Sequence, residues 1–189
     1  WVNGGAPKGP DADLPKAPVF PEGWTGGEPD YVVDLPIEFV IPAQGELPEL
    51  DFYTPIPFTE DRFVEALEMR PTNPAVVHHA GTFMATLPDD VTVIDGVAHA
   101  PDGTPLDQRQ ITRRTEGGWR FVTPGASKLL SYVPGRGYEA YANGAAKRLA
   151  TGSHINFEMH YNSTGREETD QTKLGLWFAK GPVTHEIIN

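Results

Sequence analysis

Between Ile155 and Tyr161 apolar and polar residues alternate without a break, Ile155, Phe157, Met159 and Tyr161 against Asn156, Glu158 and His160. A period of two sends successive side chains to opposite faces of an extended chain. The stretch therefore predicts a half-buried strand with Asn156, Glu158 and His160 turned outward. An earlier stretch, Val76-Val77-His78-His79-Ala80-Gly81-Thr82-Phe83, has the same β-like character and brings two more imidazoles. Four of the six histidines thus lie on or beside two predicted strands.

The rest of the chain is punctuated for short strands. Tyr31-Val32-Val33 and Ile37 to Ile41 read as a strand interrupted by Pro36, which marks a bend or an edge. Asp89-Asp90, Asp95-Gly96 and Asp102-Gly103 are turn signals, and Arg113 to Thr123 predicts a hairpin with Gly117-Gly118 at its tip. Asn162-Ser163-Thr164-Gly165 makes a turn before a last apolar strand, Leu174 to Ala179. Two segments are ambiguous. In Phe58 to Arg70 the spacing of Phe63, Ala66, Leu67 and Arg70 leans to a helix, and the Ala-rich run Glu139 to Ala150 also passes for one. Gly144 weakens that second helix by about 1 kcal/mol against Ala. Close-set strands with Gly/Pro turns predict an all-β fold, an antiparallel, jelly-roll-like β-sandwich. Eleven of the nineteen prolines fall at or before Pro57, so residues 1–30 are expected to form an extended Pro/Gly-rich arm anchored by Trp24, and residues 31–189 the sandwich.

A net charge of -11 would repel nucleic acid and anionic membranes. No apolar run approaches the roughly 18–20 residues of a membrane helix. The chain has no cysteine, which removes disulfides, zinc-thiolate sites and thiol catalysis. It starts at Trp1 rather than Met and reads as a piece of a longer protein, so the lack of a signal peptide carries no information. No nucleophile elbow, phosphate loop or dinucleotide fingerprint is present.

The histidines remain. Neutral imidazole is the commonest metal ligand, but adjacent strand residues point to opposite faces. His78 and His79 can share an ion only where the strand is bulged or twisted, and Gly81 nearby eases such distortion. The plain alternative has one of the pair buried on a hydrogen bond and the other in solvent. Six strand residues span roughly 20 Å, whereas nitrogen–metal bonds are about 2.0 Å, so His154 and His160 cannot serve one ion. His160, mid-strand, is the expected third ligand. His154 is assigned to the surface, and His99 and His185 to solvent. An all-nitrogen set suits copper, zinc or iron. Glu158, two residues before His160 on the same face, is placed to orient a ligand or simply to face water. Met159 and Met84 belong to the core.

Two motifs, Val77-His78-His79 and Phe157-Glu158-Met159-His160-Tyr161 followed by a turn, resemble the copper type II, ascorbate-dependent monooxygenases, the family of peptidylglycine α-hydroxylating monooxygenase and dopamine β-hydroxylase. Arg148 to Ser153 resembles the family's approach to the second strand. Gly23-Trp24 with Gly27-Glu28-Pro29-Asp30, and His160 to Gly165 with Asp170-Gln171-Thr172, are similar to bacterial multidomain relatives. The likeness spans roughly Trp24 to Pro182. It implies the first of two tandem β-sandwich domains, with an electron-transfer copper held by His78, His79 and His160, and it turns Phe58 to Arg70 from helix to strand. It also implies partners in the full-length chain, a second copper-binding domain downstream and a haem domain upstream of Trp1 to Pro7, and an extracytoplasmic location. No His-x-His pair for the second copper occurs here, so this piece alone is expected to bind copper without hydroxylating anything.

Two other classes of function stay open. One is a non-catalytic sandwich module docking a partner domain or a carbohydrate, with Trp24, Trp119 and Trp177 as candidate platform residues. The other is a mononuclear zinc or iron enzyme with Glu158 as general base.

Overall fold

A computed structural model describes residues 1–17, 19, 22–106 and 128–188. The expected hairpin at Arg113 to Thr123, and Trp119 with it, lie outside them.

Fourteen strands make up the described fold. They are β1 (Tyr31–Asp34), β2 (Phe39–Ile41), β3 (Leu50–Pro55), β4 (Arg62–Arg70), β5 (Val77–Ala85), β6 (Thr92–Ile94), β7 (Val97–His99), β8 (Lys128–Tyr132), β9 (Tyr138–Ala140), β10 (Ala145–Leu149), β11 (His154–Tyr161), β12 (Glu168–Asp170), β13 (Lys173–Phe178) and β14 (His185–Glu186). A six-stranded sheet runs β1-β13-β4-β10-β14, with β9 also on β4, and a four-stranded sheet runs β3-β11-β5-β8. Pairing is antiparallel except between β10 and β14. Ribbons β2–β12 and β6–β7 complete an all-β sandwich.

The core lies between the two large sheets. Val64, Leu67, Met69, Leu149, Leu174 and Leu176 come from one, and Ile155, Phe157, Met159, Tyr161, Val77 and Met84 from the other. The core face of β11 is therefore as read: its four apolar residues are buried. In β4 alternation fails for a physical reason. Trp177 pairs with Ala66 but Phe178 with Val64, so Glu65 is an extra residue, and the bulge shifts the core-facing set from Val64 to Leu67 and Met69. That three-residue step produces the helix-like spacing of Phe58 to Arg70; the segment that forms is a strand, as the family resemblance implied.

The Ala-rich run is likewise not helical. Glu139 to Ala150 is split between β9 and β10 by a turn in which Gly144 has φ +81°, a left-handed conformation that glycine adopts without strain. Burial of Ala146, Lys147 and Leu149 against the sheets outweighs the local propensity of alanine. At Asp95-Gly96 the expected turn is present, both residues having positive φ, and it joins β6 to β7 as a two-residue hairpin.

Residues 1–17 contain two short 3-10 turns and are exposed throughout. Trp24 anchors the last part of the arm before β1. Its ring packs edge-on against Trp177 at 6.0 Å and covers Gly175, where an added Cβ would come within 2.8 Å of it. The Arg70 guanidinium stacks over the same ring, 5.7 Å from its centre, and donates to the Gly23 carbonyl. Buried Glu68 accepts from Thr25 N (2.6 Å) and Oγ1 (3.0 Å).

Candidate metal centre

The outer face of the four-stranded sheet carries the site. Antiparallel pairing sets His79 of β5 directly opposite His160 of β11, and the next partners are Val77 and Tyr161. Two steps on β5 therefore match one on β11, which makes His78 the extra residue of a β-bulge. The bulge removes the objection that neighbouring side chains must diverge: Val77 stays in the core, while His78 and His79 both turn to the outer face. Asn162 N donates to Val76 O (2.8 Å) and closes the ladder beyond it. The distortion sits at His78 itself. Gly81 has a different use, since a Cβ there would meet the Phe83 ring at 2.8 Å.

The three rings converge. Nδ1 of His78 lies 3.2 Å from Nδ1 of His79 and 3.5 Å from Nδ1 of His160. One nitrogen from each lies within 4.8 Å of those of the other two, with His78 exposed and the others half-buried. Nitrogens bound to one ion at about 2.0 Å with trigonal to tetrahedral angles are about 3.3–3.5 Å apart. The cluster therefore fits a transition-metal ion, and the strand register with its bulge sets the fit. Lone pairs aimed at one point repel unless a proton or cation lies between them.

The far side of this sheet row is anchored in the interior. Tyr161 stacks on Phe39 at 5.2 Å and its hydroxyl donates to Asp170 Oδ2 at 3.0 Å. Burial, and then the Asp170 charge, push that phenol well above its usual range. Asp170 is fully buried and also accepts from Thr72 Oγ1, Asn73 N, Thr172 N and Thr172 Oγ1. The end of β11 and the turn leading into β5 are thereby tied to one carboxylate. The Asp170-Gln171-Thr172 motif thus has a structural task beside the site.

Other expectations need correction. Asn156 does not face water: Tyr53, its neighbour across the ladder, belongs to a satellite cluster with Ala85, Ala98, Leu87 and Val93 that covers this part of the outer face, and Asn156 is fully buried. Its Nδ2 donates to Asp51 Oδ1 at 3.0 Å. His154 is not a surface residue. It is half-buried, its Nδ1 has no hydrogen-bond partner among the described residues, and burial holds its pKa below the usual value. His99 is half-buried with Nδ1 2.9 Å from Val97 O, whereas His185 is exposed as expected. Met84 and Met159 are core residues. Of the tryptophans considered for a binding platform, Trp177 is buried and Trp24 is packed against it.

Glu158 lies on the outer face with Oε1 beside Gly81. Sequence reasoning missed Glu49: its Oε1 lies 3.5 Å from His79 Nε2, the nitrogen on the far side of the ring from the cluster. The register of β3 on β11 was the signal that could have found it, and that register is invisible before the strands are paired. Among the described residues no helix is long and apolar enough to cross a membrane. No family model matches the sequence, and a comparison with curated proteins gives no match.

Proposed function

We propose that this domain is the electron-transfer copper-binding unit of a larger copper-dependent monooxygenase, inactive as a hydroxylase by itself. The observation that carries the reading is the approach of three imidazole nitrogens, from positions far apart in the chain, to 3.2 and 3.5 Å of one another. A three-nitrogen set without carboxylates is wrong for calcium or magnesium and suits copper in both common oxidation states. Bound copper would supply a one-electron couple at the sheet surface.

The chain's own residues supply the rest. Paired strands and the bulge at His78 fix the ligand positions before binding, so little ordering is left to do. His78 is exposed, which leaves the centre open to an electron partner. The downstream copper domain, the upstream haem domain and an extracytoplasmic location extend the proposal through the sequence resemblance. The test is to load the protein with copper and follow electron paramagnetic resonance. One Cu(II) signal per chain with nitrogen hyperfine structure, lost on adding ascorbate and regained on reoxidation without substrate hydroxylation, is expected. Uptake of zinc or iron but not copper, or copper that does not cycle, overturns the assignment.

A further inference from the structure

The metal-site reading, on which this inference rests, leaves open what orients the His79 ring. β3 pairs with β11 in a register ending at Met159 opposite Leu50, so one further step sets Glu49 opposite His160. On the other side of β11, His160 is opposite His79. Glu49, His160 and His79 therefore occupy one row across three neighbouring strands, on the same outer face. Two inter-strand spacings separate the backbones of Glu49 and His79 by about 10 Å. The two side chains close that gap, bringing Glu49 Oε1 to 3.5 Å from His79 Nε2.

This contact selects between the two ring nitrogens. A carboxylate accepts and cannot donate, so it favours the tautomer with the proton on Nε2. The lone pair then lies on Nδ1, and Nδ1 is the nitrogen that faces His78 at 3.2 Å. With the proton on Nδ1 instead, His79 would present an N–H to the ion position and a lone pair to Glu49, unfavourable at both ends.

We propose that Glu49 is the positioning residue of the centre, fixing His79 in the Nε2–H tautomer so that it ligates through Nδ1. Partners of this kind typically change metal affinity 10–100-fold. Glu49 is 59% exposed, so water competes for the same ring proton and the effect belongs at the low end.

Zinc and Cu(I) affinities are compared for the parent, Glu49→Ala and Glu49→Gln, together with 15N chemical shifts of the His79 ring in the metal-free proteins. Glu49→Ala should weaken both metals about tenfold and mix the His79 tautomers. Glu49→Gln, whose amide oxygen can face Nε2 without the full charge, should restore part of each. Unfolding midpoints should not change, since the side chain is exposed. If the parent binds metal and Glu49→Ala keeps both its affinity and a pure Nε2–H tautomer, this inference fails and the metal site stands. If the parent binds neither metal, the metal-site reading fails and this one with it.

Discussion

Asp170→Asn removes one charge and no volume from the interior, and its cost follows from who donates to that carboxylate. Oδ1 accepts from Thr72 Oγ1 and the Asn73 backbone, Oδ2 from Tyr161 Oη, Thr172 N and Thr172 Oγ1. An asparagine has one oxygen. If it serves the Oδ2 side, its NH2 confronts the Asn73 N–H. The Thr72 hydroxyl can rotate to accept, but a backbone N–H cannot, and an unsatisfied buried donor costs about 1–3 kcal/mol. The bonds kept on the Oδ2 side fall from charge-assisted to neutral, roughly halving their strength. Relief of the desolvation of a buried charge offsets part of this. The net expectation is roughly 3 kcal/mol. For a domain of this size that is about 6–12 °C in Tm. Urea and thermal unfolding should also give an unchanged m-value, because the native surface is unaltered. As the network braces both the residue after His160 and the turn before β5, the folded variant should bind metal a few-fold more weakly. A Tm within about 2 °C of the parent would refute the argument that this carboxylate organises the site's flank.

Two further outcomes follow from the fold. Gly96→Ala should cost more than about 2 kcal/mol: alanine at φ +79° is strained by about 1–2 kcal/mol, and its Cβ would stand 2.2 Å from Pro36 Cγ; a variant melting with the parent contradicts the hairpin geometry. For Asp30, the Lys180 ammonium at 2.5 and 2.6 Å, with help from the Phe178 backbone N–H, holds the carboxyl below its usual 3.8. A depressed carboxyl stabilises the fold above its ordinary pKa and loses that contribution as pH falls through the folded value. Asp30→Asn should therefore be less stable than the parent at pH 7, by under about 1 kcal/mol because Lys180 is exposed, and the difference should shrink below pH 3.8 in urea melts. A gap that does not vary with pH contradicts the assignment.

How far the sequence carried the fold and the site depended on how local the controlling physics is. The alternation in Ile155 to Tyr161 is a property of the segment alone, so the strand, its core face and the place of His160 on the other face were legible. The need for distortion at His78-His79 was legible too, since two adjacent strand residues cannot otherwise share a face. Which residue bulges was not, because a bulge is a mismatch between two strands and here depends on Tyr161 pairing with Val77. The same limit produced the helical look of Phe58 to Arg70, where the extra residue Glu65 breaks the period of two. Asn156 and His154 were misplaced for a related reason. A polar residue on a regular strand, or one just after a Gly-Ser turn as His154 is, reads as solvent-facing, and only the packing of Tyr53, Ala85 and the β6–β7 ribbon turns that part of the outer face into an interior. The alanine-rich run 139–150 could pass for a helix because propensity is local, while the pairing of β9 and β10 with β4 and the burial of Ala146, Lys147 and Leu149 are not.

Metal titration of the parent, His78→Ala, His79→Ala, His160→Ala and His154→Ala addresses the convergence of the three imidazoles without assuming any activity. One tightly bound ion per parent chain is expected. Each change within the trio should weaken binding on the order of a hundredfold, equivalent to about 2.7 kcal/mol, and His154→Ala should bind as the parent does. Three trio variants that retain the parent's affinity would contradict that convergence.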